Sequence, residues 1–374
     1  MIDIKLRDYQ LACLQKIIKT FQETNRQLVQ LPTGAGKTII FLNYLKGFSK
    51  KALILCPTRD LQEQILRNSK EILGNKNCSD DLRDWACSFF VRTSASLNYE
   101  SSFDLISKKG FDTIIIDEAH RAQCKTYLHF LEDYIKINPN VKILGCTATP
   151  ERLDRKSLLD IFNILSFDIS LLDLINNNYL CDVLAYKIKT GEKISSTQVR
   201  NGDFTQIQLK KLCTDSRNDF IYKSYLEKCQ KKKTLIFCIN VEHSIQIAET
   251  LQSKGISAAF IHGKMGITER STILRDFADG KINVLTNCQL LTEGFDEPSI
   301  EAIIIARPTA SKALYFQMVG RGIRKFPKKD KLTLIELADN SHRLCTFNVL
   351  AEKDPRFQMD YPDGTSLKEY SKNI

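Results

Sequence analysis

The sequence predicts an α/β protein built as two successive units, each a parallel β-sheet flanked by helices. Three observations predict it. The chain has 374 residues, enough for about two domains of 150–200 residues, each with its own core. Short apolar or β-branched runs alternate with longer amphipathic segments, which is the rhythm of strands joined by crossover helices. That rhythm weakens between about residues 167 and 214 and then starts again.

The first amphipathic segment, YQLACLQKIIKTF, places Leu11, Leu14, Ile17, Ile18 and Phe21 on one helical face. The strand candidates QLVQL, KALILC, CSFFV, TIIID and KILGC follow, and TIIFLNYLKGF reads as a helix after the first of them. In the second half TLIFCI, SAAFI, INVLT, AIIIA and LTLIEL alternate with helix-like VEHSIQIAETLQSK, TERSTILRDFADG and SKALYFQMVGRG. Between the halves, NNN and TGEKISSTQVRNGD read as a partly structured connection, not a third domain. The expected division is 1–166, a connecting segment 167–214, a second domain 215–345 and an irregular tail 346–374.

Bulk properties narrow the function classes. The net charge is +10, and RKFPKKDK, Arg324 to Lys331, carries five cations and one carboxylate. Such a bias suits a polyanionic partner, although a lysine run is more often a solvated face. The start MIDIKLRDYQ has no basic region followed by an apolar stretch, and runs such as ALILC and TIII are only strand-length. A cytoplasmic or nuclear protein without a membrane partner is therefore expected. None of the twelve cysteines forms a Cys-x-x-Cys pair, and several lie in apolar runs where cysteine acts as a small hydrophobe. The irregular spacing of Cys56, Cys78, Cys87 and Cys124 argues against an iron–sulfur cluster.

Two motifs carry chemistry. PTGAGKT, Pro32 to Thr38, stands between a strand and a helix, the context of a phosphate loop. Amides of Gly34, Ala35 and Gly36, in the same loop as Thr33, are expected to cradle phosphate, with Lys37 reaching the β and γ phosphates and Thr38 ligating magnesium. The match is partial, since Leu31 stands where the full pattern has its first glycine. TIIIDEAH then puts Asp117 at the tip of a strand as a magnesium ligand and Glu118 beside it as the base for the attacking water.

With LRDYQ (Leu6 to Gln10), CPTRDLQEQ (Cys56 to Gln64), TAT (Thr147 to Thr149), LTEGFDEP (Leu291 to Pro298) and QMVGRGIR (Gln317 to Arg324), these motifs follow one order. The chain resembles the superfamily 2 DEAD/DEAH-box helicases over roughly residues 4 to 340. Within them it looks most like the group that includes the helicase subunit of transcription-repair factors and its bacterial and phage relatives. RNA helicases proper usually open the last motif with histidine, where this chain has Gln317.

The resemblance implies two tandem RecA-like domains with the nucleotide in the cleft between them. It implies that Arg321 and Arg324 meet the γ-phosphate, with Gln317 in support, and that Gln10, helped by Arg7, reads adenine. Gly294 and Asp296 would lie by the ribose, and His120, Thr147 and Thr149 would relay nucleotide state. Nucleic-acid contacts would come from Pro57, Thr58, Arg59, Thr93 and Ser94, then from Asn240, Thr286, Asn287 and Thr292, in keeping with short donors that bind phosphate without reading sequence. The implied function is an ATP- and Mg2+-dependent DNA helicase or translocase, with a possible protein partner for strand separation or targeting. The alternatives are an RNA helicase or ribonucleoprotein remodeller, and a nucleotide-gated nucleic-acid-binding subunit of a repair, defence or restriction assembly.

Overall fold

A computed structural model describes residues 5–98, 100–121, 125–148, 158, 161–194, 199–200, 203–288, 290–292, 294–340, 344–351 and 361–372. It separates into two compact units, Met1–Ser170 and Leu171–Ile374. No helix among the described residues is long and apolar enough to cross a membrane.

The first unit runs α1 (Asp8–Thr20), β1 (Arg26–Gln30), α2 (Lys37–Phe48), β2 (Ala52–Cys56), α3 (Arg59–Leu73), β3 (Cys78–Ser79), β4 (Phe89–Thr93), α4 (Glu100–Lys109), β5 (Thr113–Asp117), α5 (Lys125–Ile137), β6 (Lys142–Thr147) and β7 (Ile164–Asp168). Its sheet has the order β3-β4-β2-β5-β6-β1-β7, and every pairing is parallel. Each residue of β2 and of β5 is buried, as both-face coverage of a parallel sheet requires. Because β5, β6 and β1 are neighbours, the segments that leave their C-terminal tips meet: the phosphate loop, the DEAH run and Thr147.

Helix α1 buries Tyr9, Gln10, Cys13, Ile17 and Thr20, while Leu11 is 46% exposed. The expected face is thus rotated toward Tyr9 and Gln10, which bond to the phosphate loop. Gly145 in β6 shows how tightly this unit is packed. A Cβ there would lie 2.4 Å from Phe162 Cζ and 2.8 Å from Leu28 Cδ1, and both neighbours are buried in the core. Gly145→Ala should lower stability by about 1–3 kcal/mol, as overpacking does, read as a lower denaturant midpoint at unchanged slope.

The second unit runs α6 (Leu171–Asn176), β8 (Asp182–Lys193), β9 (Val199–Arg200), β10 (Asp203–Phe204), α7 (Gln206–Lys210), α8 (Asp215–Ser224), β11 (Thr234–Phe237), α9 (Val241–Ser253), β12 (Ala258–Ile261), α10 (Ile267–Ala278), β13 (Val284–Asn287), β14 (Ala302–Ile305), α11 (Lys312–Gly320), β15 (Lys331–Asn340), β16 (Thr365–Ser366) and α12 (Leu367–Lys372). The sheet order is β12-β13-β11-β14-β15-β8-β16.

Two findings depart from the expected division. Residues 182–193, expected in the connection, form β8, which pairs parallel to β15 from Asp182↔Lys331 onward. The tail is not wholly irregular either: β16 pairs antiparallel with β8, and Tyr361 and Tyr370 pack on Phe347. The buried Glu336 carboxylate anchors it, accepting from Tyr315 Oη at 2.7 Å, from the Phe347 amide at 3.0 Å and from Tyr361 Oη. Burial raises the pKa of this carboxyl. The described cysteines are free thiols; burial pushes Cys13 up to about 12, so that side chain is an apolar filler.

Candidate nucleotide-binding site

The phosphate loop leaves β1 at Leu31, whose amide donates to the Thr147 carbonyl at 2.9 Å. Gly34 (φ 85°) and Gly36 (φ 78°) take the left-handed conformation, which glycine adopts at little cost. Gly36 starts α2 without a side-chain cap, so amides of the first turn are left for an anion. The Ala35 carbonyl accepts from Tyr9 Oη at 2.8 Å and from Gln10 Nε2 at 3.0 Å. A Cβ on Gly36 would stand 2.6 Å from that Gln10 nitrogen, so glycine here also serves close approach. Thr33 Oγ1 is buried without a hydrogen-bond partner, as suits a loop shaped to receive a polar ligand.

Opposite the loop, Glu118 follows β5 with φ 51°, a strained conformation for a residue with a side chain. Its amide donates to Asp117 Oδ1 at 3.0 Å. Glu118 Oε1 lies 3.8 Å from Lys37 Nζ, and Oε2 lies 3.3 Å from His120 Nδ1. The same imidazole nitrogen is 3.2 Å from Thr147 Oγ1. Asp117, Glu118, His120 and Thr147 are all buried. Lys37 at the start of α2, Glu118 and His120 after β5, and Thr147 at the end of β6 therefore form one continuous polar chain. The Thr38 hydroxyl and Asp117 carboxylate are hard oxygen donors, the type that magnesium prefers. Thr149 lies outside the described residues.

In the second unit Arg321 donates from Nη1 to the Phe295 carbonyl at 2.6 Å and from Nη2 to the Thr292 carbonyl at 2.7 Å. Arg324 forms an ion pair with Asp296 and donates to the Phe295 carbonyl at 3.4 Å. Burial lowers the Arg324 pKa to about 10. Gly294, at φ 73°, turns the chain into this cluster. Asp296, expected at the ribose, is thus the partner of Arg324. Gln317 is buried in α11. Arg7 is exposed, and its amide donates to Gln10 Oε1 at 3.0 Å.

The residues expected to contact nucleic acid separate into two groups. Pro57, Thr58 and Arg59 follow β2, and Thr93 and Ser94 stand at the end of neighbouring β4, so both sets share the C-terminal edge of the first sheet. Thr58 caps α3, accepting from the Leu61 amide at 3.3 Å, and Asn240 caps α9, accepting from His243 at 2.7 Å. Thr286 and Asn287 differ from the expectation, being fully buried in β13. Thr286 Oγ1 donates to the Ser244 carbonyl at 2.7 Å. Asn287 donates to Ile236 at 3.1 Å and accepts from the Leu291 amide at 3.2 Å. A strand flanked on both sides uses such groups inside the fold. Thr292 is also buried, and its carbonyl holds Arg321. The sequence reading missed Tyr9, although it adjoins Gln10, and Lys329, hidden in a charge run.

Two parallel-sheet units, the first with a phosphate loop joined to a DEAH run and the second with paired arginines, define a helicase-type nucleotide machine. Residues 3–152 match the family described as type III restriction enzyme, res subunit, and residues 216–325 match the helicase conserved C-terminal domain. The chain belongs to superfamily 2 of the helicases.

Among curated proteins it is 32% identical over 355 residues to a Schizosaccharomyces pombe protein provisionally named mitochondrial ATP-dependent helicase irc3, a match covering 91% of this chain and 58% of that protein. It is 24% identical to the DNA 3'-5' translocase XPB2 of Sulfurisphaera tokodaii, covering 89% of this chain and 81% of that one. The solved structure of the ATP-dependent type ISP restriction-modification enzyme LlaBIII bound to DNA shares the fold, with a TM-score of 0.67 at 20% identity over 90% of this chain and 28% of that enzyme. The chain thus spans little more than half of the fission-yeast relative.

Proposed function

We propose that this chain is an ATP-dependent motor that moves along, or remodels, DNA. The observation that carries the reading is the buried chain Lys37–Glu118–His120–Thr147, which links the phosphate loop to the DEAH run and to the tip of β6. In this reading the amides of Gly34, Ala35 and Gly36 bind the phosphates, with Thr33 lining the loop. Lys37 neutralises the β and γ phosphates, and Glu118 takes a proton from the attacking water while His120 orients its carboxylate. Thr38 and Asp117 would hold a magnesium ion, which when bound would supply charge neutralisation at the phosphates. Arg321 and Arg324 act on the γ-phosphate, with Gln317 in support. Gln10 and Arg7 serve adenine recognition, and Gly294 and Asp296 lie on the ribose side. Thr147 and Thr149 pass nucleotide state on to the nucleic-acid residues Pro57, Thr58, Arg59, Thr93, Ser94 and Asn240.

The choice of DNA takes support from the name of the Sulfurisphaera translocase. A cytoplasmic or nuclear location and a protein partner for strand separation belong to the same proposal. The fission-yeast relative is itself named mitochondrial.

The test is steady-state ATP hydrolysis at low salt, alone and with single-stranded DNA, duplex DNA or single-stranded RNA. Stimulation by DNA and not by RNA is the expected result. Raising salt from 50 to 200 mM should weaken DNA binding steeply and equally for unrelated sequences, as counterion release demands. Stimulation by RNA alone would move the reading to an RNA remodeller, and none by any of them to a nucleotide-gated subunit.

A further inference from the structure

Lys329 stands in the run RKFPKKDK, where Lys325, Lys328 and Lys331 are exposed, yet Lys329 is itself only 5% exposed. A tight turn accounts for the difference. Phe326 and Lys329 bridge, the Lys329 amide donates to the Phe326 carbonyl at 3.0 Å, and Lys328 takes φ 66°. The turn leaves its tip in solvent and sends the Lys329 side chain inward. There Nζ donates to the Pro298 carbonyl and to the Arg324 carbonyl, each at 2.9 Å. Burial costs this ammonium stability and lowers its pKa to about 8, while the two carbonyls offset part of that cost.

Both acceptors belong to the arginine cluster. Pro298 closes the run LTEGFDEP, whose Phe295 carbonyl receives Arg321 and Arg324. The Arg324 backbone is further held by its bridge to Leu180, by Cys181 Sγ on the Arg324 carbonyl at 3.3 Å and by the Cys181 amide on the Ile323 carbonyl at 2.8 Å. Lys329 alone among these groups ties the Arg324 backbone to the loop that carries the acceptors of its side chain.

We propose that Lys329 is a positioning residue for the arginine pair, its ammonium joining loop 295–298 to the Arg324 backbone so that the guanidinium keeps one orientation. This rests on the reading of Arg324 as the residue that acts on the γ-phosphate. A misplacement of about 1 Å costs on the order of 10²-fold in rate when geometry carries catalysis.

The test is a cycle of Lys329→Met, Arg324→Ala and the double variant in the full chain, with kcat and KM for ATP measured in single-stranded DNA and thermal unfolding followed in parallel. Arg324→Ala is expected to lower kcat on the order of 10³-fold with a smaller change in KM. Lys329→Met is expected to lower kcat about 10- to 100-fold at similar KM, and the double variant to be no slower than Arg324→Ala. If Lys329→Met does not fold, Lys329→Gln, which keeps a donor and buries no charge, must show the same dependence on Arg324. Multiplicative losses in the double variant, or an unchanged kcat with only a lower melting temperature, would overturn the role of Lys329. An unchanged kcat in Arg324→Ala would instead overturn the arginine reading, and this proposal with it.

Discussion

Glu118→Gln is expected to bind ATP and to turn it over on the order of 10²- to 10⁴-fold more slowly, the range that a positioned general base contributes. The amide keeps the size of the carboxylate between Lys37 and His120 but has no lone pair basic enough to take a proton from water. Removing its charge beside Lys37, 3.8 Å away, leaves that cation free for phosphate, so ATP affinity should be retained or should rise. The measurement pairs single-turnover phosphate release with equilibrium binding of ATP, and adds retention of DNA in the presence of ATP. Slow release with tight binding and trapped DNA fits a motor halted before hydrolysis. Wild-type release would remove Glu118 from the chemistry.

Lys37→Ala should reduce hydrolysis by at least the 10²- to 10³-fold, in round numbers, that follows the loss of one preorganised donor to a developing charge. Here the defect should extend to ATP binding, because the cation meets phosphate in the ground state as well as in the transition state. The substitution also deprives the buried Glu118 carboxylate of the Lys37 ammonium 3.8 Å away. Thermal unfolding without ATP therefore belongs in the same experiment. A folded variant that neither binds nor hydrolyses ATP confirms the role of Lys37, and one that hydrolyses normally places the phosphate elsewhere.

Most of the two sheets was legible in the sequence, because buried parallel strands are near-continuous apolar runs and the helices between them are amphipathic. TIIID and TLIFCI are unambiguous on that basis. β8 was hidden for the opposite reason. DVLAYKIKTGEK mixes charges into its length, as a strand near the sheet edge tolerates, and its partner β15 lies far along the chain. The tail was unreadable because Tyr361 and Tyr370 gain their meaning only against Phe347 and Glu336.

The residues of the candidate site were nameable from short motifs, since phosphate binding, metal ligation and proton transfer each demand particular side chains close together in sequence. Their connections were not. That Glu118 faces Lys37, that Tyr9 and Gln10 hold the Ala35 carbonyl, and that Arg324 pairs with Asp296 depend on chain segments tens of residues apart. The same limit explains Thr286 and Asn287, whose polar groups look available in sequence and are consumed inside β13.

By itself, then, the sequence determined the class: local patterns of apolarity specify strands and helices, and local motif chemistry specifies a phosphate loop and its acidic partner. The tertiary structure alone decided which polar groups face one another and which are enclosed. Lys329 shows why: its neighbours in sequence are solvated lysines, and only the turn that carries it inward, against Pro298 and Arg324, makes it part of the arginine cluster.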